Sequence, residues 1–142
     1  ENLSPADINR ICNKESGVLG VSGVSNDNRD LAAAAESGNH RAQLAIDMQR
    51  YQILKFVGSY IAAMNGVDAI AFTGGIGEND GNLRKAVCDN LEYLGVEIDD
   101  ENNALRGTEV KISTDKSPVD VYVIPTNEEL AIARDTLKII SK

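Results

Sequence analysis

The sequence predicts an α/β fold in which parallel strands are flanked by helices, and three observations carry that prediction. Ala69 to Phe72 is a short apolar run with an aromatic, followed at once by Gly74, Gly75 and Gly77. Such a run reads as a strand buried on both faces, the kind found in parallel sheets. Val119 to Ile124 is a second strand signal, ended by Pro125 and followed directly by a helix start. From about Arg41 to Asn65, Leu44, Met48, Tyr51, Leu54 and Ile61 recur at three-and-four spacing, the mark of a long helix. Strand, glycine loop, helix is the arrangement in which open α/β sheets take ligands, at the carboxyl ends of their strands.

Composition bounds what the chain does. Its 142 residues are 42% hydrophobic and 25% charged, which suits a single globular domain over residues 1–142. A formal net charge of −8 argues against nucleic acid or anionic membrane as partners. No apolar run approaches a membrane span and no signal peptide is visible. Cys12 and Cys88 stand alone, which points to core fillers in a reducing, cytoplasmic setting. His40, the only histidine, lies in a polar stretch and reads as a surface residue near a helix start. The first residue is Glu1, and a helix signal follows almost immediately, so the chain reads as a cut domain.

The elements follow in order. Ser4-Pro5-Ala6-Asp7 predicts a helix over Pro5 to Lys14, with Ser4 as N-cap and Asp7 three residues after it. Val18 to Val24, alternating glycine with small apolar residues, reads as an ordered loop with an extended piece. Asn26 to Asp30 reads as a turn into a short helix, Leu31 to Glu36. Within that turn Arg29 stands between two acids. It is either a solvated ion-pair site or a guanidinium held by Asp27 and Asp30, ready to stack on an aromatic ring. The long helix stops at Gly66, and beyond Ile53 it is apolar almost all round, which implies a second packed surface. After the glycine loop, Asn79 or Asp80 caps a helix over about Asp80 to Leu94, with Leu83, Val87, Leu91 and Leu94 on one stripe. Asp99 to Asn103 reads as an exposed acidic segment, and Glu109 to Ser113 as a short strand. The last helix carries the stripe Leu130, Ala133, Leu137, Ile140.

Two places carry chemistry. The glycine loop lacks the Lys-Ser/Thr end of a P-loop, and Asp80 stands where a dinucleotide fingerprint needs its third glycine. Glu78 and Asp80 set negative charge where a pyrophosphate would sit, so the loop suits a flat, uncharged group such as adenosine. A tight turn needing glycine for positive φ is the alternative. At the last helix, Thr126 and Glu129 have capping-box spacing, which leaves Glu128 free at the ligand edge. Glu128 is there either a Mg²⁺ carboxylate acting through water or a favourable helix-dipole contact.

Three stretches together resemble the C-terminal portion of the acetate kinase (acetokinase) family. They are Asn13-Lys14-Glu15-Ser16-Gly17, Phe72-Thr73-Gly74-Gly75-Ile76-Gly77-Glu78-Asn79 and Ile124-Pro125-Thr126-Asn127-Glu128-Glu129-Leu130. Propionate kinase and other short-chain acyl kinases share these signatures, and the resemblance covers essentially the whole chain. It implies part of a ribonuclease-H-like lobe, in the superfamily of acetate and sugar kinases, heat-shock ATPases and actin. It also implies ATP or ADP and Mg²⁺ as cofactors. Asp27, Asn28 and Arg29 then match a nucleotide-contacting triplet, with Asn28 where the family usually has a hydrophobic residue or cysteine. Gly75, Ile76, Gly77, Glu78 and Asn79 match the adenosine-binding loop, and Glu128 matches the Mg²⁺-linked glutamate.

The family reaction, ATP + acetate ⇌ ADP + acetyl phosphate, needs groups that this resemblance sets upstream of Glu1. These are the acetate pocket, the catalytic Asp, the Arg pair, the His and the phosphate-binding glycine turn. His40 does not match that histidine, so the chain is expected to hold no catalytic residue and to be inactive alone. A non-catalytic dimerisation module built on Ile53 to Met64 is the other expectation. The two are compatible, since the family forms homodimers through its C-terminal lobe.

Overall fold

A computed structural model of the chain describes residues 2–141. They form two compact units, one up to Tyr60 and one from Ile61. In the first, Pro5–Arg10 is α1, and the expected capping box is closed. Ser4 Oγ accepts from the Asp7 N–H at 3.2 Å, and the Asp7 carboxylate accepts from the Ser4 N–H at 3.3 Å. The chain continues through a π-helical turn, Ile11–Glu15. Gly17–Ser22 is then helical (α2), where a loop with an extended piece is expected. Two features outside its own composition hold it. Gly23, at φ 69°, donates to the Leu19 carbonyl at 2.7 Å. Arg41 donates from Nε to Val21 O (2.8 Å) and from Nη2 to Gly20 O (3.2 Å), placing positive charge at the helix C-terminus.

Asn28–Glu36 is α3, begun three residues before the expected Leu31 because Asp27 caps it. His40–Met64 is α4, and it ends as predicted. Asn65 takes φ 60°, and Gly66 donates to the Ile61 carbonyl at 3.0 Å. Leu31, Ala42 and Ala45 are the buried apolar residues of the first unit. Cys12 is exposed there, against the core role expected of it, because the π-helical turn that carries it buries no residue.

The second unit is built on a three-stranded sheet in the order β1-β3-β2. Its strands are Ala69–Phe72 (β1), Val110–Lys111 (β2) and Asp120–Val123 (β3). β1 runs parallel to β3 with Ala69 opposite Asp120 and Phe72 opposite Val123, and β2 is antiparallel to β3. The parallel pairing matches expectation, but burial of β1 on both faces does not. Only Phe72 of β1 is buried, since the strand has a partner on one side only and forms a sheet edge among the described residues. β3, between two partners, buries Val121 and Val123 and leaves Asp120 and Tyr122 half-buried.

After β1 the glycine-rich stretch is itself a short helix, Gly74–Asn79 (α5), followed by Gly81–Asp89 (α6). Asp80 caps α6 by accepting from the Leu83 N–H at 2.9 Å. Asn79 instead donates from Nδ2 to Gly75 O at 2.8 Å. Leu83, Val87 and Leu91 are buried as the stripe predicts, each contributing about 1.5–3 kcal/mol by removal from water, whereas Leu94 is half-buried because α6 ends at Asp89, short of the expected Leu94. A single 3₁₀ turn, Glu92–Leu94, ends at Gly95 with φ 78°. Asp100–Asn103 (α7) is capped by Asp99, and its last residue, Asn103, is buried. Glu128–Ile140 (α8) closes the chain and buries none of its residues, so the stripe from Leu130 to Ile140 lies exposed.

Candidate functional site

Parallel pairing of β1 with β3 sends both strands out of the sheet at the same edge. The last ladder bond there runs from the Ile124 N–H to the Phe72 carbonyl, 2.9 Å. Immediately beyond it, α5 follows β1 and the start of α8 follows β3. The two are joined by side chain: the Thr126 N–H (2.8 Å) and Thr126 Oγ1 (2.9 Å) both donate to Glu78 Oε1. The Thr126 amide first, then its hydroxyl, hold the Glu78 carboxyl below its usual range.

This pairing corrects two expectations. Thr126 is not the N-cap of the last helix, and Glu129 closes no capping box. The cap is Asn127, whose Oδ1 accepts from the Leu130 N–H at 2.9 Å. Glu78 sits in the final turn of α5, so its charge is not poised at a helix N-terminus. It is spent on Thr126. Glu128 is the first residue of α8, exposed two positions beyond Thr126.

The three glycines of α5 and its approach differ in their environments. Gly74 alone has positive φ, +70°. A Cβ on Gly77 would stand 3.3 Å from the Phe72 carbonyl carbon, so this glycine lets α5 fold back on the strand it leaves. A Cβ on Gly75 would meet nothing within 4 Å. Gly75 and Ile76, the latter 42% exposed, are therefore open to solvent, and Ile76 gives that part of α5 an apolar side chain.

Behind α5 lies a residue that motif reading passed over. Arg84 of α6 is 1% exposed and makes four hydrogen bonds. Its Nη1 donates to the carbonyls of Gly77 (2.8 Å) and Glu78 (2.9 Å), at the C-terminal end of α5 where a cation is favoured. Its Nε and Nη2 donate to Asn103 Oδ1 (2.8 Å) and Asn103 O (2.5 Å), and Asn103 Nδ2 donates to Gly81 O at 2.9 Å. Burial lowers the Arg84 pKa from its ordinary value, with the Asp80 charge acting in the opposite sense. The signal was present in the sequence. Positions 84, 88 and 91 share one arc of a helix, and Cys88 and Leu91 are apolar, so Arg84 falls on the buried side.

In the first unit, Asp27, Asn28 and Arg29 form their own cluster at the start of α3. The Asp27 carboxylate accepts from the Arg29 N–H (2.8 Å), from Nε (3.0 Å) and from Nη2 (2.6 Å). Hydrogen bonding from the Arg29 side chain, then from its amide, lowers the Asp27 pKa to about 2. Asp30 does not share the guanidinium. Its carboxylate accepts from Ser25 Oγ at 2.7 Å. The Arg29 side chain is 90% exposed, so the pair is a solvated one and the faces of the guanidinium are open. Among the described residues no group of three or more metal-ligating side chains forms a metal centre. A single carboxylate such as Glu128 suits Mg²⁺, which keeps several waters and binds through one or two carboxylates plus substrate phosphates. No helix among the described residues is long and apolar enough to cross a membrane.

Comparison with known proteins adds to this geometry. Residues 1–134 match the model of the Acetokinase family. Acetate kinase of Methanosarcina barkeri is 54% identical over 140 residues, covering 99% of this chain and 34% of that protein. The crystal structure of Porphyromonas gingivalis acetate kinase superposes with a TM-score of 0.87 at 50% identity, over 97% of this chain and 35% of that one. A propionate kinase from Francisella tularensis superposes with a TM-score of 0.79 at 42% identity, over 92% of this chain and 33% of that one. The chain thus spans about a third of the length of the curated relatives it matches.

Proposed function

The chain belongs to the acetokinase family, and from that premise we propose that it is the adenosine- and Mg²⁺-handling part of an acetate kinase. In the whole protein its residues 1–142 would belong to the C-terminal nucleotide-binding lobe, working in the cytoplasm. One observation carries the reading. Two elements sit at the carboxyl edge of a parallel strand pair, a glycine-lined helix with an open face and a helix start bearing Glu128, and a side chain ties them together.

In this reading Gly75 and Ile76 receive the adenosine, Gly77 keeps α5 close to β1, and Asn79 pins the first turn of α5 through Gly75 O. The Arg29 guanidinium, oriented by Asp27 beside Asn28, offers a flat cation for stacking on a nucleotide base. Glu128 would hold Mg²⁺, and that ion, when bound, supplies charge neutralisation to phosphate oxygens during transfer. Acetate as acceptor is supported by relatives above half identity; the propionate kinase likeness makes a short-chain acyl substrate the second choice.

Gly75→Val in the full-length protein tests the reading. Since Gly75 has no positive φ and a Cβ there meets nothing, valine reports on ligand space rather than on folding. Nucleotide KM is expected to rise far more than acetate KM. Equal effects on both would overturn the assignment. Homodimerisation is a compatible second role, favoured by Tyr51, Phe56, Tyr60 and Met64, which all stand exposed on α4.

A further inference from the structure

We propose that Glu78 is a positioning residue: held against Thr126, its carboxylate fixes the start of α8 relative to α5, so that Glu128 meets the metal of a nucleotide lying on α5. The inference rests on the reading above and moves Glu78 out of the group that touches adenosine.

Consider what else could place Glu128. β3 is tied to β1 as far as the Ile124 N–H, which donates to Phe72 O. Pro125 has no N–H to offer. The next donor is Thr126, and both its groups go to Glu78 Oε1. From Asn127 onward the bonds are internal to α8, with Leu130 and Ala131 donating back to Asn127. Among the described residues α8 buries nothing, so no packing within them positions this helix. Among the described residues Glu78 is therefore the side-chain tie between α5 and the backbone two positions before Glu128.

The anchor itself is rigid. Glu78 lies in the final turn of α5, and Arg84 Nη1 holds the Glu78 and Gly77 carbonyls from the buried side. A charged acceptor taking two donors on one oxygen has stronger bonds than a neutral pair. The Thr126 amide and hydroxyl are exposed, so water can satisfy them if Glu78 is lost. Removing Glu78 should consequently move Glu128 rather than unfold the protein.

The test is calorimetric titration of the full-length protein with ADP, once in Mg²⁺ and once in EDTA. In Glu78→Ala the gain in ADP affinity on adding Mg²⁺ should shrink about tenfold, the equivalent of one hydrogen bond to a charged group, while affinity in EDTA stays within about twofold. Glu78→Gln keeps the acceptor oxygen and should retain most of the gain. Thr126→Val keeps the amide donor and should lose about threefold. The double variant Glu78→Ala/Thr126→Val should be no worse than Glu78→Ala alone. Equal weakening in Mg²⁺ and EDTA would mean that Glu78 touches the nucleoside, and an unchanged gain would mean that it positions nothing; either overturns the proposal. Glu128→Ala is the control on the underlying reading. If the Mg²⁺ gain survives its loss, the metal assignment falls whatever Glu78 does.

Discussion

Gly74, Gly75 and Gly77 are three copies of one residue doing three different things. Gly74 supplies a backbone conformation, Gly77 a close approach to Phe72, and Gly75 open space. Gly74→Ala should destabilise by about 1–2 kcal/mol through left-handed strain, seen as a lower melting temperature. Gly75→Ala should leave melting unchanged or raise it slightly, since alanine is the better helix former, while weakening nucleotide binding. The sequence marks the glycines as a special turn after β1, but not that they form a helix nor which glycine serves which end, because that depends on where Phe72 lies. For Arg29 the sequence leaves two readings open, and the structure shows an exposed ion pair with Asp27 in which Asp30 takes no part. Its Asp27 pKa is depressed, so the pairing holds above the ordinary value of 3.8 and is lost as pH falls through about 2. Carboxyl ¹³C NMR should find an Asp27 midpoint near 2 that rises toward the ordinary carboxylate range in Arg29→Ala without fully reaching it, since the residue-29 amide still donates.

At the scale of elements, the start of α8 is where local pattern and tertiary context part. Thr126 and Asn127 are adjacent cap candidates, and the spacing to Glu129 favours the first. The choice is made by Glu78, 48 residues away in sequence, which takes Thr126 and leaves Asn127 to cap. Asn127→Ala should therefore cost about 1 kcal/mol, whereas Glu129→Ala should cost only about 0.3–1 kcal/mol through the helix dipole. Neither should alter the Mg²⁺ concentration giving half-maximal rate as strongly as Glu128→Ala does. Thermal melting beside a Mg²⁺ titration checks all three. The same lesson holds for α2. Its glycine-rich sequence reads as loop, and what makes it a helix is Arg41, reaching carbonyls 20 and 21 residues upstream. β3, rich in β-branched and aromatic residues, and β1, a short apolar run closed by glycines, are legible in the sequence almost to the residue.

For the whole molecule, the determining fact is that this chain spans about a third of its relatives. Phosphoryl transfer depends on groups clustered around the moving phosphoryl, and Glu128 is the single one proposed here. Purified chain given ATP, Mg²⁺ and acetate should form no acetyl phosphate above a no-protein control, with hydroxylamine trapping as the assay. Steady turnover belonging to this chain would sink the proposal. The exposed apolar side chains of α8, with Ile139 and Ile140 at 73% and 74%, and those of α4 should give concentration-dependent association in light scattering. The parallel β1–β3 pairing has one more consequence, for the order in which the protein assembles. Parallel neighbours cannot meet until the long crossover between them closes, and such distant pairings form slowly. Thr126 finds Glu78 only after that closure, so the site cannot preassemble on either loop. In hydrogen exchange the exposed Thr126 amide should open together with the Ile124 amide, which donates to Phe72 O across that pairing, rather than with the loops around it.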